Sequence, residues 1–133
     1  MAALQRRTTI VAVGASAGGL EAFRALLDAL PADPGLAFVF IQHPAPPHAG
    51  MLVELLSGHT RMGVQQAATG MTVMRDNVYV IPSGLQLSIE RGLLRLARPP
   101  HGDEARRPFD FFLRSLAAER GDHHQKCAAD SGA

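Results

Sequence analysis

The sequence predicts an α/β fold with a mainly parallel sheet and an antiparallel hairpin. Three observations carry this. Residues 8–13 and 36–42 are short, almost wholly apolar runs of the kind buried on both faces of a sheet. Each is followed by a break and a helical pattern, and strand–helix–strand–helix alternation argues for parallel pairing with right-handed crossovers. Between residues 77 and 96 the pattern changes to short strands separated by Pro82-Ser83-Gly84 and Glu90-Arg91-Gly92, a meander or hairpin signature.

Taken in order, residues 8–13 form a first strand and Gly14-Ala15-Ser16-Ala17-Gly18-Gly19 a turn. Residues 20–30 follow as a helix, with Leu20, Phe23, Leu27 and Leu30 on one face and Glu21, Arg24 and Asp28 on another. Arg24 and Asp28 stand one turn apart and are expected to pair weakly. Pro31 and Pro34 stop this helix. The second strand, residues 36–42, is broken by His43-Pro44-Ala45-Pro46-Pro47, and a short helix is expected at 50–56. Strands are expected at 77–81, 85–89 and 93–96, then a polar loop at 99–107. Pro108 opens a helix at the position proline favours, with Phe109, Phe112, Leu113 and Leu116 on its apolar face. After Gly121 no apolar period remains, which predicts an unstructured tail over 122–133.

Composition narrows the function. The chain has 133 residues, enough for one domain, and 47% are hydrophobic, enough for a core. Lys and Arg total 13 against 12 Asp and Glu, so no basic footprint for nucleic acid exists. No apolar run reaches membrane-spanning length. The run after Gln5-Arg6-Arg7 is too short for a signal peptide and enters a glycine turn, so it reads as a buried strand. Cys127 is the one cysteine, which excludes an internal disulfide and suits a reducing compartment.

The chemistry concentrates at two strand ends. Gly14-Ala15-Ser16-Ala17-Gly18 is G-x-S-x-G between a strand and a helix, the setting of a nucleophile elbow. A serine on such a turn exposes its hydroxyl, and the helix N-terminus behind it favours developing negative charge. The alternative is a glycine turn with Ser16 capping the helix. His43 ends the next strand; if the two strands are neighbours, Ser16 and His43 emerge together and the imidazole can take the hydroxyl proton. The alternative is a histidine held in a proline-rich loop. A nucleotide-binding reading fits poorly, because the glycines do not follow G-x-G-x-x-G and the second strand ends in Gln42-His43 without an acid for a ribose. His123, His124 and Cys127 sit in a polar tail without a second ligand cluster, a poor metal site. His48, His59 and His101 read as ordinary loop or helix-end residues.

Residues 10–21, from Ile10 through the Ser16 turn to Glu21, resemble the opening motif of the CheB-type chemotaxis protein-glutamate methylesterase family. Val39-Phe40-Ile41-Gln42-His43 resembles its histidine segment, Gly70-Met71 and Asn77-Val78-Tyr79-Val80-Ile81-Pro82 its mid-domain hairpin, and residues 107–117 its late helix. The match covers about residues 8–121 in the family's order and is closest to methylesterase modules fused to methyltransferase and sensor domains, without an attached N-terminal receiver.

The resemblance implies a doubly wound sheet whose C-terminal part is missing, with an incomplete catalytic domain over 8–121. It implies a cytoplasmic hydrolase in two-component chemotaxis signalling that cleaves glutamyl methyl esters, and deamidates glutamines, on the cytoplasmic helices of chemoreceptors. Ser16 would attack, His43 would shuttle the proton, and the N–H of Ala17 would be an oxyanion donor, with Gly14, Gly18 and Gly19 shaping the turn. No metal or organic cofactor is implied, nor nucleic acid or membrane insertion; sensor-kinase or methyltransferase modules are further candidate partners. The family's aspartate should follow a further strand beyond Gly121, and neither Asp122 nor Asp130 has the matching context. A catalytically dead fragment, or a module that only binds a receptor or partner, is the competing expectation. The late helix is then expected to leave an apolar patch beside an open strand edge.

Overall fold

The computed structural model describes residues 8–15, 19–42, 49–82, 84–99, 107–120 and 125–128. The chain runs β1 (Thr9–Ala15), α1 (Gly19–Ala29), β2 (Leu36–Gln42), α2 (Ala49–Ser57), β3 (Gly63–Gln66), β4 (Asn77–Val80), β5 (Gln86–Glu90), β6 (Leu93–Ala97), α3 (Pro108–Arg120) and β7 (Gln125–Ala128). Five strands form a sheet in the order β3-β4-β2-β1-β7, and every pairing in it is parallel. β5 and β6 form a separate antiparallel hairpin.

The two apolar runs are central strands because they have apolar side chains for both faces. Val13, Ala15, Phe38, Phe40, Val78 and Val80 share one core with Phe23 and Leu27 of α1 and Leu52 and Leu56 of α2. Ile10, Ala12, Ala37, Val39, Ile41 and Tyr79 share the other with Leu87, Ile89 and Leu94 of the hairpin and Phe112 and Leu116 of α3. The sheet is thus covered on both sides, as a doubly wound architecture requires. Phe23 locks α1 to β2: its ring stacks on Phe40 at 4.6 Å and lies tilted 6.2 Å from Phe38.

Two local devices fix the ends. Arg91 and Gly92 both have positive φ, 55° and 78°, which makes the β5–β6 connection a two-residue turn matched to strand twist. At the amino edge, the Gly35 N–H donates to Asp76 Oδ1 at 2.7 Å, and the Asp76 N–H donates to the Leu36 carbonyl at 2.8 Å. Those bonds clasp the starts of β2 and β4.

Several expectations change. The segment at 77–81 is not part of a meander: Asn77–Val80 is β4 and pairs in parallel with β2 and β3. β3 was not expected, because Gly63-Val64-Gln65-Gln66 has one apolar residue and lies at the sheet's edge, where neither end residue is buried. Residues 125–128, expected to be unstructured, form β7 against β1, from Val11↔Gln125 to Gly14↔Ala128. An edge strand needs backbone pairing more than an apolar period, so composition did not reveal it. The rest of 122–133 lies outside the described residues. The apolar face of α3 is covered rather than bare: Phe112 and Leu116 are buried, and Phe109 and Leu113 pack on the same core. Ser115 fastens this helix to β5 by accepting from the Ile89 N–H at 2.8 Å and donating to the Ile89 carbonyl at 3.1 Å.

Candidate active site

The sheet's topology marks one place for chemistry. From β1 the chain crosses through α1 on one face to β2, while α3, on the opposite face, precedes β7 on β1's other side. The winding direction therefore reverses at β1, and open α/β sheets bind ligands beyond the carboxyl ends of their strands at such a reversal. The β1–β2 register runs from Thr9↔Leu36 to Ala15↔Gln42, so both strands end level with each other. Parallel neighbours lie about 4.8 Å apart. Ser16 follows Ala15 and His43 follows Gln42 in the sequence. α1 and α2 begin at Gly19 and Ala49, so both helices present their N-termini, the positive ends of their dipoles, toward this edge.

Of the expected site residues, Ser16, Ala17, Gly18 and His43 lie outside the described residues, as do Asp122 and Asp130. Gly19 opens α1 and is buried. Gly14, expected in the turn, is instead a strand residue of β1. Its lack of a side chain serves packing: a Cβ there would come within 2.5, 2.6 and 2.8 Å of three Phe109 ring carbons. The first glycine of G-x-S-x-G thus lets α3 lie against β1 directly below the edge.

Gln42 is the last residue of β2. Strand alternation puts its side chain on the face of Phe38 and Phe40, beside Ala15. Its Oε1 is buried and has no hydrogen-bond partner among the described residues. The sequence signal was a polar residue closing an apolar strand immediately before His43.

A second polar cluster occupies the opposite edge. Arg24 donates through Nε to His59 Nε2 at 3.1 Å, and His59 Nδ1 lies 2.9 Å from Asp28 Oδ1. Since Nε2 accepts, Nδ1 carries the hydrogen and donates to Asp28. Arg24 also holds Glu21 at 2.6 Å, so the expected Arg24–Asp28 pair is replaced by pairing through His59. This cluster borders a groove of about 560 Å³ lined by Asp28, Ser57, His59, Thr60 and Arg61. It joins the end of α1 to the α2–β3 connection, away from the strand ends that lead to Ser16 and His43.

Residues 11–128 match the family model described as CheB methylesterase. A protein-glutamate methylesterase/protein-glutamine glutaminase of Xanthomonas oryzae pv. oryzae is 36% identical over 125 residues, covering 90% of this chain and 35% of that protein. A homologue of the same description from Burkholderia orbicola is 39% identical over 110 residues, covering 82% and 32%. The chain therefore spans about a third of the length of these relatives. The crystal structure of the Thermotoga maritima CheB methylesterase catalytic domain superposes with a TM-score of 0.78 at 24% identity, over 92% of this chain and 67% of that one. That likeness establishes the same α/β fold.

Proposed function

From the premise that this chain belongs to the CheB methylesterase family, we propose that it carries the nucleophile and the base of a serine hydrolase acting on chemoreceptors in the cytoplasm. Ser16 attacks the carbonyl of a glutamyl methyl ester, and His43 takes the hydroxyl proton and returns it to the leaving methanol. Water then releases the glutamate side chain. Glutamine side chains react in the same way, with ammonia leaving. The Ala17 N–H and the N-terminus of α1 stabilise the tetrahedral oxyanion. No metal or organic cofactor is required by this chemistry, and the substrate is the receptor's cytoplasmic helices. Sensor-kinase or methyltransferase modules are its further candidate partners.

The observation that carries this reading is the Ala15↔Gln42 pairing, which ends β1 and β2 level at the carboxyl edge. Two residues leaving neighbouring parallel strands there start within side-chain reach of each other. A serine-directed fluorophosphonate tests it. The expected result is one adduct, on Ser16, formed far more slowly by His43→Ala. Labelling elsewhere, or labelling indifferent to His43, would contradict the assignment.

A further inference from the structure

The carboxyl end of β1 is restrained in two different ways. Within the plane of the sheet, Gly14 pairs with Ile41 of β2 on one flank and with Ala128 of β7 on the other. Those backbone bonds resist movement across the plane far less. There, packing decides. On the α1 face, Val13 and Ala15 meet the core that contains Phe23. On the α3 face, Gly14 offers no side chain, and the atoms its Cβ would first meet are Cγ, Cδ1 and Cδ2 of Phe109. Gly14 is not among the glycines of positive φ, so what this position demands is room for that ring.

Phe109 is itself fixed from behind. It lies in the first turn of α3 and packs on the core that Phe112 and Leu116 enter with no exposed surface. Farther along the helix, Ser115 bonds both backbone groups of Ile89, and Glu119 accepts from the Gly92 N–H at 2.9 Å. α3 is thus clamped to the hairpin along its length. Its first-turn ring is a stop against which the end of β1 rests.

We infer that Phe109 is a positioning residue for the nucleophile: acting through Gly14, its ring sets where the chain delivers Ser16 two residues later. The inference rests on the hydrolase reading above. Two residues of extended chain span about 6.6 Å, and a close-packed interior passes a shift over that distance. Catalytic groups must be held to within about 0.5 Å, and a misplacement of about 1 Å can cost on the order of a hundredfold in rate.

The test follows labelling of Ser16 by a fluorophosphonate, in which the serine oxygen bonds to phosphorus and fluoride leaves. Varying the reagent gives a limiting rate and a half-saturating concentration for the wild type, Phe109→Ala, Phe109→Leu and Leu113→Ala. Each rate is corrected for the folded fraction read from urea unfolding of the same protein. Leu113, one turn later on α3, packs on the same core and is the control for lost packing alone. Phe109→Ala is expected to lower the limiting rate about tenfold to hundredfold at an unchanged half-saturating concentration. Phe109→Leu keeps apolar bulk for the fold but loses the flat ring, and is expected to fall by less. Leu113→Ala is expected to label at the wild-type rate. Wild-type limiting rates in both Phe109 variants, or an equal fall in Leu113→Ala, would overturn the positioning role and leave the serine assignment standing. A wild type that is not labelled at Ser16 would overturn both.

Discussion

The ring of Phe109 lies against the backbone of Gly14, so close that a Cβ at that glycine would stand 2.5 Å from a ring carbon. This contact couples α3 to the strand that leads into Ser16. Gly14→Ala is expected to destabilise the fold by about 1–3 kcal/mol, the usual cost of overpacking. The same substitution in a Phe109→Ala background is expected to cost markedly less, because the colliding ring is gone. Urea unfolding of the four proteins measures this coupling. Additive losses would show that the ring does not restrict Gly14.

Tyr79 should report on the core beneath the sheet. Burial raises its pKa above the ordinary 10.0, opposed by the hydrogen bond from the Met74 N–H. The hydroxyl accepts that bond at 2.8 Å and donates to the Thr72 carbonyl at 3.2 Å. A raised phenol pKa means that the folded state keeps its proton when the unfolded state begins to lose it. This contribution to stability is therefore complete below pH 10 and is lost as pH rises toward the higher folded value. Tyr79 is the chain's one tyrosine, and tryptophan is absent. Phenolate absorbance is thus expected to titrate above 10 in the native chain and near 10 in urea. Tyr79→Phe should flatten the alkaline decline in stability. Equal midpoints in the two states would contradict the burial argument.

His59 joins α1 to the α2–β3 connection by accepting from Arg24 and donating to Asp28. The side chains of His59 and Asp28 are 23% and 57% exposed, so solvent weakens the pair and a modest effect is expected. His59→Ala should lower the urea midpoint by the equivalent of about 0.5–1 kcal/mol without changing the slope. Asp28→Ala added to it should cost little more. Fully additive losses would show that the two side chains do not act together.

The parts of this fold legible in the sequence were those whose residues face two apolar surroundings. Residues 36–42 could only be a buried strand, and Phe23, Leu27, Phe112 and Leu116 could only face a core. β3 and β7 escaped notice because edge strands are held by backbone bonds that leave no apolar period. The sequence groups β4 with the hairpin because Pro82 and Gly84 punctuate the run that follows it; its parallel pairing with β2 and β3 assigns it to the main sheet. At the site, G-x-S-x-G marked the strand–helix junction correctly but misassigned Gly14, whose requirement comes from Phe109, distant in sequence.

Methanol release from methylated chemoreceptor tests the central claim most directly. Three proteins are compared: the 133-residue chain, the same chain continued by the C-terminal segment of a family member, and the Ser16→Ala form of the continued chain. The family's aspartate, which the resemblance places in a glycine-rich turn after a further strand beyond Gly121, fixes the histidine tautomer and stabilises the imidazolium formed during attack. β7 supplies a strand before Asp130 that the sequence did not lead one to expect, but the sequence around Asp130 still lacks the family's glycine context. In serine proteases its loss costs on the order of 10⁴ in kcat, about 5.4 kcal/mol of barrier. The continued chain is expected to release methanol, its Ser16→Ala form none, and the 133-residue chain methanol at a rate lower by about that factor. Release that survives Ser16→Ala, or a 133-residue chain as fast as the continued one, would contradict the account.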